Sequence, residues 1–71
     1  MKYLVILEHG ESTWGAHVPD LPGCIAAAKT REQVLERIRE AIGMHIDSLR
    51  ASGEEVPPPT SEGETVEVSA A

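Results

Sequence analysis

Apolar positions along the chain change their spacing twice. From Lys2 to His9 (KYLVILEH) they run almost unbroken, with Tyr3, Val5 and Leu7 pointing one way and Leu4 and Ile6 the other. A run of strand length that is apolar on both sides predicts a central strand. The polar stretch GEST, residues 10–13, reads as a turn. Thr13–Val18 (TWGAHV) then alternates, with Trp14, Ala16 and Val18 on one face and His17 on the other. So short a link makes these two strands an antiparallel hairpin. Cys24–Lys29 (CIAAAK) is read as a third strand, although alanine is a weak strand former.

At Thr30 the period lengthens to that of a helix. Val34, Leu35, Ile38, Ala41, Ile42, Ile46 and Leu49 share one face over Arg31–Ser52. Thr30 with Gln33 fits a capping box, and Gly53 a left-handed stop with Arg50 at the negative end of the dipole. His45 lies inside the apolar stripe and is read as an amphipathic core residue. Three prolines in EEVPPPT, residues 54–60, favour a polyproline path, with Val56 tucked back onto the helix end. Glu64–Ala70 (ETVEVSA) alternates again and reads as a final strand.

The predicted architecture is α+β in the order β-β-β-α-β. One helix packs on a mostly antiparallel four-stranded sheet, with the last strand beside the first and a right-handed crossover through the helix. All 71 residues form one domain, with its core from about residue 2 to 69. A single helix covers a single face, so the other is expected to carry large apolar side chains and to meet another polypeptide. A short chain with 41% apolar residues and only two aromatics gains from such a partner, and a homodimer or higher homo-oligomer is expected.

Charge narrows the partner. Twelve acids against six bases give a net charge of −6, which disfavours direct contact with DNA or RNA phosphates and suits a basic protein. The apolar N-terminal run is too short for a signal peptide and no segment is long enough to span a membrane, so the chain is expected in the cytoplasm.

The stretch VPDLPGC, residues 18–24, constrains the backbone most. Pro19 and Pro22 fix φ, Pro22 pushes Leu21 into extended geometry, and Gly23 is free to take positive φ. The loop therefore sits rigidly at a sheet end, where Asp20, Leu21 and Pro22 can be presented to a partner with little ordering cost. The lone Cys24 cannot form an internal disulfide. It is read as a small filler beneath the loop, and as a nucleophile only if His17 serves as its base. Asp20 is expected to cap the loop through its own backbone. Trp14 is either an interface anchor or the main core ring. Glu8, Glu11 and Asp20 together form a candidate acidic rim, and His17 completes the set of candidate partner contacts. Pro19, Pro22, Gly23, Cys24 and Gly53 are the structural positions. No metal or cofactor site is expected.

VPDLPGC resembles the signature of the HicB antitoxins, partners of the HicA toxins. REQVLERIREAIGMHIDSLRASGEEVPPPT, residues 31–60, resembles that family's helix and its exit. The resemblance implies a partial ribonuclease-H-like fold and a HicA-like partner. That partner is a small basic toxin with a double-stranded-RNA-binding-like fold, whose catalytic histidine the antitoxin blocks, preventing mRNA cleavage. Longer members add a C-terminal DNA-binding domain, which is not expected in residues 1–71, and solo members occur. Ribonuclease H enzymes hold two metal ions with a carboxylate in the first strand. Here that position reads Leu4-Val5-Ile6, so nuclease activity is not expected.

Overall fold

A computed structural model describes residues 1–70. Its elements are β1 (Ile6–His9), β2 (Trp14–His17), β3 (Ile25–Ala28) and α1 (Arg31–Ala51). The strands form an antiparallel sheet in the order β1-β2-β3, with Ile6 opposite His17 and His17 opposite Ile25.

The register sorts the side chains. Leu7, Ala16 and Ala26 stand in one row, His9, Trp14 and Ala28 in the next, all on the side facing α1. Ile6, His17 and Ile25, with Glu8, Gly15 and Ala27, line the other side. Ala16, Val18, Leu21, Cys24 and Ala28 meet Val34 and Ile38 of α1 in the buried core. Ala26 and Ala28 of β3 have a steric purpose: small side chains on that side let the helix lie close over the strand. The helix packs on β3 and β2 and does not reach β1.

Both helix ends follow local chemistry. The Thr30 hydroxyl accepts from Gln33 N–H at 3.1 Å. Gly53, at φ 73°, donates to Arg50 O at 3.1 Å, and Glu54 N–H donates to Leu49 O at 2.9 Å. That pair of bonds is a Schellman closure, in which a glycine supplies the left-handed conformation other residues resist.

Three expectations change. β1 starts at Ile6 rather than Lys2, and it is an edge strand rather than a central one. Among the described residues Glu64–Ala70 joins no sheet, so the parallel crossover unit is not formed. The double-sided apolarity of the first strand has another origin. Tyr3, Val5 and Leu7 pack against the core, whereas Leu4 meets the C-terminal segment: a methyl group at Gly63 would stand only 3.3 Å from Leu4 Cδ1.

The open side is also less apolar than expected. Its large apolar side chains in the strands are Ile6, 37% exposed, and Ile25, 70% exposed; the rest are polar or small.

The molecule is elongated. Its radius of gyration is 14.2 Å, where a compact chain of this length has about 11 Å. It exposes 5667 Å². A compact monomer of 7.6 kDa exposes about 4300 Å².

Candidate functional site

The Pro19–Gly23 loop is closed by its own backbone. Leu21 N–H donates to Val18 O at 3.1 Å, Cys24 N–H to Leu21 O at 3.0 Å, and Val18 N–H to Cys24 O at 3.1 Å. Gly23 takes φ 86°, where a side chain would strain the turn. The closure drives Leu21 inward: it is 0% exposed and belongs to the core. Leu21 therefore has no surface to offer a partner, while Pro22 beside it is exposed. A rigid loop needs a hydrophobic pin, and Leu21 is that pin.

Cys24 is the second pin. It is buried, and desolvation raises its thiol pKa above the ordinary value, which disfavours the thiolate. His17 cannot serve it. Cys24 faces the helix beside Val18, whereas His17, one residue earlier on β2, lies on the open side. The fold does not bring Cys24 and His17 together as a nucleophile–base pair.

Asp20 departs most from its expected role. Its carboxylate caps nothing in its own loop. Oδ2 accepts from the backbone N–H groups of Thr60 and Ser61, both at 2.9 Å, while Oδ1 accepts from their hydroxyls at 3.2 and 2.7 Å. The bonds from Ser61, backbone then side chain, are the main reason its pKa falls below the ordinary value. This contact joins the two sequence motifs: the aspartate of VPDLPGC latches the residues that leave the proline run. Tyr3 adds to the anchor by donating its hydroxyl to Pro57 O. Val56 is half-buried, as its expected tuck requires. Nothing local marks Thr60 and Ser61 in the sequence, where a Thr-Ser pair after prolines is indistinguishable from loop.

Trp14 lies on the helix side of β2, half-buried against the core. Its ring stacks on cross-strand His9, centroids 4.0 Å apart and 8° from parallel. It is thus neither a free anchor nor a fully buried ring. His45 is half-buried, while Met44 beside it on the helix is exposed.

The acidic rim does not gather. Glu11 lies in the β1–β2 turn and Asp20 in the β2–β3 loop, at opposite ends of the sheet, and both oxygens of Asp20 are already engaged. Glu8 stays on the open side, its Oε1 3.9 Å from His17 Nδ1. The His17 side chain is 43% exposed, and Ile6 and Ile25 flank it on the neighbouring strands. The alternation Cys24-in, Ile25-out was the available signal for Ile25. What the fold assembles on its uncovered side is an apolar row broken by one titratable ring, with a carboxylate beside it. At β3 the opposite edge is partly sealed, because Arg37 Nη1 donates to Ala27 O at 2.7 Å.

No helix among the described residues is long and apolar enough to cross a membrane. The chain is 40% identical over 67 residues to a UPF0150 protein of Thermoplasma acidophilum, covering 93% of this chain and 97% of that one. It is 35% identical over 71 residues to Antitoxin HicB 2 of Photorhabdus laumondii, covering 99% of this chain but only 51% of the antitoxin. No solved structure matches. The family model described as HicB_like antitoxin of bacterial toxin-antitoxin system matches residues 3–69. It spans both the Asp20 loop and the segment that loop holds, and on that match the chain belongs to the HicB-like antitoxin family.

Proposed function

We propose that this chain is a non-catalytic binding module, built on a partial ribonuclease-H-like sheet, that neutralises a HicA-like mRNA-cleaving toxin by protein–protein contact. The observation that carries this reading is the uncovered side of the sheet, where Ile6 and Ile25 flank His17 beside Glu8. Exposed isoleucines on a rigid sheet provide apolar contact area with little side-chain entropy to lose. The net charge of −6 suits a small basic partner. It also disfavours direct contact with DNA, and the module is proposed to work in the cytoplasm as a homodimer or higher homo-oligomer. Pro22, exposed at the sheet end, is assigned to the rim of the contact, and Glu11 to its acidic surroundings.

The test is reconstitution with a HicA-like toxin encoded next to this chain. Protection of mRNA by a stoichiometric complex is expected. Ile25→Glu is expected to weaken the complex by about a hundredfold, as the loss of a central apolar contact would. Cleavage that proceeds undiminished with excess chain present would defeat the reading.

A second reading is favoured by one observation. The Thermoplasma relative is matched over 97% of its length, so family members of about this size exist. In that reading the chain is a solo oligomeric domain with a structural or regulatory role. A stable oligomer that ignores every toxin encoded beside it would select it.

A further inference from the structure

We propose that two copies of this chain exchange their Glu64–Ala70 segments, each pairing as an outer strand with β1 of the other copy.

The segment has the pattern of a half-buried strand but none of the burial. Val66 and Val68 alternate with Glu67 and are 75% and 81% exposed. Every residue from Glu62 to Ala70 is exposed. Its root, by contrast, is fixed: Ser61 is held on Asp20, and Gly63 lies against Leu4. The segment therefore leaves the body in a set direction from beside the residues that lead into β1. An arm with an ordered root loses less freedom when it pairs than a free tail does.

β1 has the complementary vacancy. It is an edge strand, and the helix that covers β2 and β3 does not reach it. Val5 and Leu7 remain half-buried on that side. Seven residues of strand span roughly 23 Å and the four of β1 about 13 Å, so the arm is long enough to cover the edge. With Val66 and Val68 turned to the side of Val5 and Leu7, Glu67 stays in solvent.

The size of the exposed surface points to a second copy. The chain exposes 5667 Å², about 1400 Å² more than a compact monomer of its mass. A standard interface covers about 800 Å² on each partner. A reciprocal exchange buries two arms and two edges in one isologous contact, closing both open edges at once. The β-β-β-α-β order expected from the sequence would then be completed between two chains.

The proposal does not depend on toxin binding, and its test keeps the two apart. Sedimentation equilibrium of the whole chain should show a dimer, with slowed amide exchange at Val66–Val68. The double variant Val66→Asp, Val68→Asp should fold, since neither residue is in the core, and should weaken the dimer by at least about tenfold. Ile25→Glu, on the open side of the far strand, should leave the dimer intact. A monomer at all concentrations overturns the exchange, including one whose arm amides are protected by folding back onto its own β1. So does a dimer indifferent to the double variant, or one abolished by Ile25→Glu.

Discussion

Leu21, Cys24 and Asp20 sit within five positions of one another and do three different things. Leu21 supplies apolar volume, so Leu21→Ala should lower unfolding free energy by about 3 kcal/mol in a denaturant titration. Cys24→Ala removes one sulfur atom from the same cluster. It should cost about 1 kcal/mol and leave partner binding unchanged. Asp20 supplies charge. Its folded-state pKa is depressed by the Ser61 and Thr60 bonds, so its contribution is present above the unfolded-state pKa. That contribution is lost as pH falls through the depressed folded value. Thr60 and Ser61 amides should therefore be protected at neutral pH and open in strong acid, ahead of the core. Asp20→Asn should open them at neutral pH. Fast exchange of both amides in the unaltered chain at neutral pH would show that the latch does not hold. Gly23 and Cys24 were legible as turn and filler because each role follows from covalent structure or size. Asp20 was not, because its partners lie 40 and 41 residues away.

At the scale of elements, the helix was the most legible feature. Seven apolar positions at helical spacing, a threonine before them and a glycine after them define Arg31–Ala51 almost to the residue. Thr30→Ala should cost about 1 kcal/mol through the lost cap. Gly53→Ala should cost at least as much, because alanine resists φ 73°. Both are read from the thermal midpoint, with helical circular dichroism as the control. The strands were legible in order and facing but not in extent. Lys2–Val5 and Glu64–Ala70 have strand composition, yet a strand needs a partner edge as well as a pattern. Among the described residues the structure supplies β1 with one neighbour and Glu64–Ala70 with none.

For the whole molecule, shape and charge set the expectations. An elongated chain with net charge −6 should meet a basic toxin quickly at low ionic strength. The association rate should fall about tenfold or more between low and physiological salt, with a much smaller change in dissociation rate. Stopped-flow mixing measures both, and a salt-independent association rate would remove electrostatics from the encounter. By itself the sequence determined the local devices: the alternations that assign side chains to faces, both helix ends, the rigid proline loop and the acidic balance. These depend on steric and hydrogen-bonding properties of neighbouring residues, which the chain carries wherever it folds. Tertiary structure alone decided that Leu21 is a pin rather than a contact and that Asp20 holds the segment after the prolines. It also decided that His17 and Cys24 lie on opposite faces of the sheet and that β1 stands at its edge. Each of these depends on what lies across space, and no local pattern encodes that distance.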